Sequence, residues 1–133
     1  MHHIGYTSRA IENGSFFQLE QLCQTSAAHN KLVGVTGLLV FDGVRYIQLI
    51  EGEASAVTLL MARIARYILH DKIVYMINGC TPERAFKKWD LACVGFQANL
   101  SVPQLLADVK EKVRAVTDNH IKASFIGFAS LAK

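Results

Sequence analysis

Residues 33–51 read VGVTGLLVFDGVRYIQLIE, and this stretch decides the fold. It holds two apolar runs, rich in β-branched and aromatic residues, on either side of the pair Asp42-Gly43. A type I′ turn needs two residues that tolerate a positive φ, so the pattern predicts a β-hairpin closed by such a turn. Apolar residues, Leu32 and Val33 among them, occupy both faces of the first strand. We therefore expect layers of structure above and below that strand.

The second strand of the hairpin carries an amide where the pattern predicts an apolar side chain. Gln48 shares a face with Val44 and Tyr46. A buried amide without hydrogen-bond partners costs a few kcal/mol, so the partner of Gln48 matters. Tyr6, in a short strand predicted at residues 3–8, likewise places a hydroxyl on an internal face. Two interpretations stay open: a tyrosine at the rim with a glutamine satisfied by a backbone group, or a polar functional site.

Helical and strand periodicity predicts the other elements. One helix starts at Ser15 in a capping box and runs to about His29, with Asn30 as its C-cap. A second helix runs from about Ala54 to Leu69, with apolar residues at helical spacing. Further strands are predicted at residues 72–78 and 89–96, a helical turn from Thr81, and a last helix that Ser101 caps.

The resulting order β-α-β-β-α-β-β-α predicts an α/β (α+β) fold, a ferredoxin-like sandwich with an extra strand. Right-handed crossovers place the first two helices on one face of the sheet. The C-terminal helical extension covers the other face if it folds back. The apolar tail from Asp118, which contains Phe125 and Phe128, is expected to pack. That tail also predicts self-association, since a chain of this size has limited surface on which to bury it.

Composition bounds the class of protein. With 133 residues, 51% of them apolar and 19% charged, the chain is expected to be globular with one core. A net charge of +3 without a basic cluster argues against nucleic acid. No apolar run approaches the roughly 18 residues of a membrane span and no signal peptide is seen, so a cytoplasmic protein is expected. The three cysteines lack metal-ligand spacing and are expected to be reduced, mostly buried thiols. No metal site and no motif of an ordinary enzyme is expected.

Several motifs share one register along the chain. They are Tyr6-Thr-Ser8-Arg, His29-Asn30-x-x-x-x-Val35-Thr36-Gly37-Leu38-Leu39, and Asp42-Gly43-x-x-Tyr46-x-Gln48-x-x-Glu51-Gly52. The pattern continues with Arg63-Ile64, His70 and Glu83-Arg84-x-Phe86-x-x-Trp89. This combination covers about residues 3–96 and resembles the BLUF family, the blue-light sensors that use FAD. The family fold is the ferredoxin-like one, with the flavin ring between the two helices that cover the sheet.

The resemblance implies roles for the internal polar residues. Gln48 would bridge the hydroxyl of Tyr6 and the N5/O4 edge of the flavin, and Tyr6 would donate an electron and a proton. The Gln48 amide would be left rotated or tautomerised, with altered hydrogen bonds. Asn30 would hold the carbonyl side of the ring, and Trp89 would relay the change. The resemblance also implies apolar walls from Leu39, Tyr46 and Ile64, ribityl-phosphate contacts from Arg63 and His70, and further cofactor contacts from His29 and Tyr67.

The chain departs from the family pattern at three positions. Tyr67 stands where the family has an acidic or amide residue, Leu69 where it has an arginine, and Leu91 where it commonly has a methionine. Each change removes a polar or flexible contact. The Tyr67 hydroxyl is the candidate replacement for the lost partner of the flavin imide. FAD is the expected cofactor, and FMN is the alternative.

The resemblance implies a blue-light photoreceptor, not an enzyme. Residues 1–97 would form the flavin-binding domain, and residues 98–133 a helical extension that packs on the sheet or on a partner. Signalling would pass to a separate protein or through a homo-oligomer, without nucleic acid or membrane. Two alternatives stay open: a BLUF-like interaction module that binds flavin poorly, and a small flavin-dependent oxidoreductase. The second lacks a general acid, a general base or a redox cysteine in the expected pocket.

Overall fold

A five-stranded sheet with helices on both faces forms the structure. The computed structural model describes residues 1–11, 16–67, 70–95 and 100–132, without the side chains of residues 16–19. Its strands are β1 (His2–Ala10), β2 (Thr36–Phe41), β3 (Arg45–Gly52), β4 (His70–Cys80) and β5 (Ala92–Val94), and its helices are α1 (Phe16–Val33), α2 (Ala54–Ile64), α3 (Val102–Val113) and α4 (Asn119–Ser130). The sheet order is β4-β1-β3-β2-β5, with β5 parallel to β2 and the other pairs antiparallel. The predicted ferredoxin-like order is confirmed.

The two faces of the sheet bury different helices. On one face, residues of β1 and β3 pack against Val57, Leu60, Met61 and Ile64 of α2. Cys23 and Ala27 of α1 cover Leu39, Phe41 and Tyr46 on that same face. On the other face, Leu38, Val40, Ile47 and Leu49 pack against buried residues of α3 and α4. The prediction that α1 and α2 share one face is therefore confirmed.

The C-terminal tail folds back onto the sheet as a helix of its own. Asp118 caps α4 by accepting hydrogen bonds from the backbone N–H groups of His120 and Ile121. Phe125 is 1% exposed and meets Phe86 edge to face, with the ring centroids 5.8 Å apart. Of the two expected places for the tail, the sheet or a partner, the structure shows Phe125 in the core of its own chain. The predicted cap of α3 is present too, since the Ser101 side chain accepts from the N–H of Gln104.

The central hairpin is present, but its turn differs from the prediction. The Asp42 N–H donates to the Arg45 carbonyl at 3.1 Å, so Gly43 and Val44 occupy the two central positions. Gly43 has a φ of 100°, but neither Asp42 nor Val44 has a positive φ, so the turn is not of type I′, which needs two such residues. The Asp42 carboxylate accepts from the N–H groups of Val44 and Arg45 and holds this geometry. Val44 is therefore exposed and lies outside the apolar stripe predicted for it.

Helix α1 extends further than predicted. It ends at Val33, so Asn30 is a buried residue within the helix and not its C-cap. Gly34, with a φ of 70°, takes the left-handed position after the helix. Leu32 and Val33 belong to the helix and are 85% and 39% exposed, so their assignment to a buried strand was wrong. An apolar run that continues from a helix into a strand gives no signal at the boundary. The predicted cap Ser15 lies outside the described residues.

The segment between β4 and β5 is irregular. No helical turn forms at Thr81, and the predicted strand at residues 89–96 is reduced to Ala92–Val94 within the described part of the chain. The carboxylate of Glu51 explains the first difference, because it accepts from the backbone N–H groups of Ala85 and Phe86 at 2.8 and 2.6 Å. Those N–H groups are bound to β3 and not to a helical turn. Helix α2 ends at Ile64, and Leu69 lies outside the described residues.

The cysteines overturn one expectation. Cys23 of α1 and Cys93 of β5 form a disulfide, and Cys80 is a free, exposed thiol. The prediction of three reduced, mostly buried thiols was therefore wrong. A separation of 70 residues carries no sequence signal, and only the packing of α1 beside β5 brings the two sulfurs together. In the described part of the chain, no helix has the length and apolar content needed to cross a membrane.

Candidate functional site

A cleft opens between α1, α2 and the face of the sheet that they cover. Its atom-free space is about 740 Å³, the open mouth included. It is lined by Tyr6, Leu22, Thr25, Ser26, His29, Asn30, Leu39, Tyr46, Gln48, Leu60, Arg63, Ile64, Tyr67, His70 and Leu91. All ten residues predicted to contact a cofactor are in this set. Their roles toward a cofactor stay predictions, but the structure brings all ten together.

Tyr6 and Gln48 face each other across β1 and β3. The two residues are paired in the antiparallel ladder, and the Tyr6 hydroxyl donates a hydrogen bond to Oε1 of Gln48. Both side chains are buried, at 3% and 5% exposure. The interpretation with a rim tyrosine and a backbone-bonded glutamine is therefore wrong. Burial, followed by the proximity of Tyr46, raises the pKa of Tyr6 far above its ordinary range, so Tyr6 is a neutral phenol at physiological pH.

Asn30 lines the cleft and carries a buried acceptor for which the described residues supply no partner. Its Nδ2 donates to the carbonyl of Asp90 at 2.9 Å and joins α1 to the segment before β5. Its Oδ1 is buried and has no hydrogen-bond partner in the described part of the chain. A buried acceptor left unsatisfied costs about 1–3 kcal/mol. A ligand that offers an N–H group at this position would remove that cost.

His70 is fixed from two sides. Its Nε2 lies 2.6 Å from the carbonyl oxygen of Ile64, which can only accept, so Nε2 carries the proton. Its Nδ1 lies 2.7 Å from the hydroxyl of Ser8, which can either donate or accept. The imidazole stands 6.0 Å from the Tyr6 ring and 6.3 Å from the Tyr46 ring, centroid to centroid. With both nitrogens engaged, His70 forms a wall of the cleft through its ring.

The mouth of the cleft carries a cation. Arg63 of α2 donates from Nη1 to Nε2 of His29 at 3.0 Å, so this pair bridges the two helices. Arg63 is exposed, and His29 is partly exposed. A guanidinium beside an imidazole at the rim suits an anionic group such as a phosphate. Among the described residues that line the cleft, the interior ones are apolar with a few polar groups, and the charged one, Arg63, is at the mouth, as is common in sites for small molecules.

The family model described as "Sensors of blue-light using FAD" matches residues 1–92. The chain belongs to the BLUF family. A curated relative, the photoactivated adenylate cyclase subunit alpha of Euglena gracilis, is 26% identical over 73 residues, which are 55% of this chain and 7% of the relative. This chain therefore spans only a small part of the length of that curated relative.

Solved structures of BLUF proteins share the fold. BlrB in its dark state aligns with a TM-score of 0.73 at 24% identity, over 97% of this chain and 95% of that one. Klebsiella pneumoniae BlrP1 with FMN and cyclic diGMP aligns with a TM-score of 0.81 at 20% identity, over 98% of this chain and 34% of that one. At these identities the likeness establishes the fold alone.

Trp89, the residue predicted to relay the signal, is not among the residues that line the cleft. Trp89 packs against the core on the α3 and α4 face, with its ring 6.1 Å from that of Phe86. The ammonium of Lys112 in α3 lies 4.7 Å from the centroid of the Trp89 ring. Leu91, two residues later, is buried and lines the cleft instead. The segment from Trp89 to Leu91 thus touches both layers of the sandwich.

Sequence reasoning assigned no cofactor role to the remaining five residues of the BLUF cleft. They are Leu22, Thr25, Ser26, Leu60 and Leu91. Helical spacing contained a signal for four of them. Leu22, Thr25 and Ser26 precede the predicted His29 at i, i+3, i+4 and i+7 on α1. Leu60 precedes the predicted Arg63 and Ile64 at i, i+3 and i+4 on α2. Leu91 had no such signal, because its position depends on how the irregular segment crosses the sheet.

Proposed function

We propose that this chain is a blue-light photoreceptor that binds one oxidised flavin in the cleft between α1 and α2. The hydrogen-bonded pair of Tyr6 and Gln48 carries this proposal, because it joins a buried phenol to a primary amide on the wall of the cleft. The unpartnered Oδ1 of Asn30 on the same cleft supports a ligand that carries a ring N–H. Membership of the BLUF family supplies the class of ligand.

The residues of the cleft fit a flavin ring in chemical type. Asn30 would hold the carbonyl side of the ring, and its Oδ1 would share the adjoining imide N–H with the Tyr67 hydroxyl. Gln48 would donate through Nε2, since its Oε1 already accepts from Tyr6. Leu39, Ile64 and Leu91 would supply apolar walls. Tyr67, which lines the same cleft, would replace the acidic or amide residue of the family pattern.

Light sensing would begin at Tyr6. A bound oxidised flavin supplies blue-light absorption and, once excited, a strong oxidant. Tyr6 would give up an electron together with its proton, because burial strongly disfavours the phenolate. The proton would pass along the hydrogen bond to Gln48. The Gln48 amide would then rotate or tautomerise, since it has both a donor and an acceptor to exchange.

The signal would leave through the segment that carries Trp89. This segment contacts the cleft through Leu91 and contacts α3 through the Trp89 ring and Lys112. Residues 1–97 would therefore be the flavin-binding domain and residues 98–133 the extension that receives the change. The output would be a separate cytoplasmic protein or a homo-oligomer. The buried Phe125 cannot serve the oligomer, so the exposed Leu131 of the same tail is the better candidate.

FAD is the proposed cofactor, with FMN as the alternative. The family description names FAD, whereas the BlrP1 structure holds FMN. Arg63 and His29 at the mouth would meet a phosphate of either cofactor. The competing proposal is an interaction module that binds flavin poorly. Tyr67 favours that alternative, because its ring takes up more of the cleft than a carboxylate would.

An absorption spectrum before and after blue light tests the proposal. The protein is purified after expression with ample riboflavin, and its spectrum is recorded in the dark and under illumination. We expect a flavin band that shifts to the red and returns in the dark. Denaturation should release one flavin per chain, which chromatography identifies as FAD or FMN. Protein that stays colourless and does not bind added FAD or FMN would contradict the proposal.

A further inference from the structure

The disulfide between Cys23 and Cys93 lies outside the proposed flavin cleft and borders a separate depression in the surface. Its Cα atoms are 6.6 Å apart, and the two residues are 70 positions apart in sequence. Both side chains are partly exposed. They line an open depression with about 950 Å³ of atom-free space, its mouth included, which Gln24, Leu100 and Lys112 also line. The two cysteines thus border a depression that is open to solvent.

The position of this disulfide connects two walls of the proposed flavin site. Cys23 follows Leu22 on α1, and Cys93 comes two residues after Leu91. Leu22 and Leu91 both line the flavin cleft. The bond thus joins the helix that forms one side of the cleft to the strand that leads away from it.

Two hydrogen bonds hold the same stretch of chain. The Gly37 N–H donates to the carbonyl of Trp89 at 3.1 Å, and Nδ2 of Asn30 donates to that of Asp90 at 2.9 Å. Strand β5 itself has only three residues, paired on one side with Leu38–Val40 of β2. Short edge strands with few backbone hydrogen bonds open easily. A covalent tie therefore matters more at β5 than it would at β3 in the middle of the sheet.

We propose that Cys23 and Cys93 form a reversible redox site that sets how firmly β5 is held against α1. Its reaction partner is a dithiol reductant. A thiolate of the reductant attacks one sulfur, breaks the S–S bond and releases the other cysteine as a thiolate that takes up a proton. The second thiol of the reductant then displaces the first cysteine, and the reductant leaves as a disulfide. Two electrons pass to the protein, and exchange with a low-molecular-weight disulfide reverses the reaction.

The free thiol of Cys80 must be removed before the redox state of the pair can be measured. It is exposed and free, and its replacement by Cys80→Ser leaves only the pair to titrate. The full-length C80S protein is titrated with dithiothreitol under native conditions, and reactive thiols are counted by maleimide labelling and mass. We expect no label before reduction and two labels after it. A reduced sample that is treated with glutathione disulfide before labelling should again take up no maleimide and should have the mass of the unmodified protein. Labelling without reductant, or reduction only on unfolding, would overturn the proposal.

Amide hydrogen exchange measures whether the disulfide limits the local opening of β5. Peptides that cover residues 89–95 should exchange about tenfold faster in the reduced protein than in the oxidised protein, since local opening no longer works against a covalent tie. Peptides from β1 should not change. A C80S variant that also carries Cys23→Ser and Cys93→Ser should exchange like the reduced protein and ignore the reductant. Equal exchange in the two redox forms would refute the proposal.

A consequence for light sensing rests on the proposed function. If β5 moves after illumination, the dark recovery of the flavin spectrum should differ about threefold or more between the redox forms, the size typical of coupling through packed elements. Equal recovery would exclude this link. The thiol count and the hydrogen exchange need no flavin, so they test the redox site even in a colourless protein. Conversely, a normal photocycle with an unreactive disulfide would refute the redox site and leave the photoreceptor proposal standing.

Discussion

The ladder between β1 and β3 carries two buried polar pairs, three residues apart and on opposite faces of the sheet. Tyr6 faces Gln48 toward α1 and α2, and His3 faces Glu51 toward the segment between β4 and β5. Nε2 of His3 lies 2.8 Å from Oε2 of Glu51, with both residues at 2% exposure or less. Both pairs join opposite residues of the same β1–β3 ladder, and all four side chains are buried. The groups that surround the two pairs differ.

The surroundings of Glu51 satisfy both of its carboxylate oxygens. Oε1 accepts from the Phe86 N–H and the Thr36 hydroxyl, and Oε2 accepts from His3 and the Ala85 N–H. Burial alone would raise the pKa of Glu51, but the bonds from His3 and the two N–H groups more than offset it and lower the pKa. The pair of His3 and Glu51 therefore reads as structural: it ties the segment that holds Trp89 to the sheet.

The surroundings of the pair of Tyr6 and Gln48 leave an acceptor open. Oδ1 of Asn30, on the same cleft, has no partner in the described part of the chain. A folded chain seldom tolerates a buried unpaired acceptor unless something else fills the place. Burial of polar groups alone thus does not mark a ligand site here. A buried hydrogen-bonding group that lacks a partner beside a cleft does mark such a site. This difference distinguishes the pair of Tyr6 and Gln48, which we assign to function, from the pair of His3 and Glu51, which we assign to structure.

The largest expected effect is the loss of the light response in Tyr6→Phe. The substitution keeps the ring volume and removes the hydroxyl that donates to Gln48. We expect flavin to stay bound and the red shift after blue light to disappear. Gln48→Leu should behave alike, because leucine has no hydrogen bonds to exchange. Absorption spectra under illumination measure both, and a normal red shift in Tyr6→Phe would exclude the proposed photochemistry.

A large loss of stability is expected from Glu51→Ala. It leaves a buried imidazole and two backbone N–H groups without their acceptor, and breaking a buried pair from one side costs about 3–5 kcal/mol. Urea unfolding measures the free energy of unfolding, and Tyr6→Phe, expected to cost about 1–2 kcal/mol, is the comparison from the other pair. If the two variants lose the same stability, the structural assignment of the pair of His3 and Glu51 is wrong.

Much of the site could be predicted because it is built on regular elements. Strand alternation put Tyr6 and Gln48 on internal faces, and the resemblance supplied Asn30, His29 and the rest in register. All of these residues except Tyr67, which follows the end of α2, lie on helices or strands, where periodicity fixes the direction of a side chain. All of them line one cleft in the structure.

The features that escaped prediction depend on contacts between distant segments. The disulfide needs α1 beside β5, and the irregular path from Thr81 to Leu91 needs Glu51 to capture N–H groups from 34 and 35 residues away. Neither contact has a local signature. The geometry of the hairpin turn was missed for a local reason, because the Asp42 side chain accepts from the backbone N–H groups of Val44 and Arg45.

A smaller effect is expected from Asn30→Leu. It removes the unsatisfied acceptor, which stabilises the flavin-free protein, and it removes the donor to Asp90, which destabilises it, so the two effects nearly cancel. We expect the free energy of unfolding without flavin to change by less than about 1 kcal/mol, and flavin affinity to fall about tenfold. Fluorescence titration with FAD and urea unfolding of the flavin-free protein measure the two quantities. Unchanged affinity would mean that Oδ1 does not meet the ligand.

The smallest effect is the dependence of stability on acid pH. The pKa of Glu51 is lower in the folded protein than its ordinary value of about 4.3, which applies to the unfolded chain. Glu51 therefore stabilises the fold fully above that value, and this contribution is lost as the pH falls through the folded pKa. The surface pair of Arg9 and Asp71 acts in the same direction, because the Arg9 guanidinium lowers the pKa of Asp71.

High salt distinguishes the contributions of Glu51 and Asp71 to the pH dependence of stability. Arg9 and Asp71 are solvent-exposed and are screened at high ionic strength, whereas Glu51 and His3 are buried and are screened much less. We therefore expect urea unfolding between about pH 7 and pH 3 in about 1 M salt to show a loss of stability that Glu51→Gln reduces and Asp71→Asn leaves nearly unchanged. If Asp71→Asn has the larger effect under these conditions, the acid sensitivity lies at the surface and not in the β1–β3 ladder.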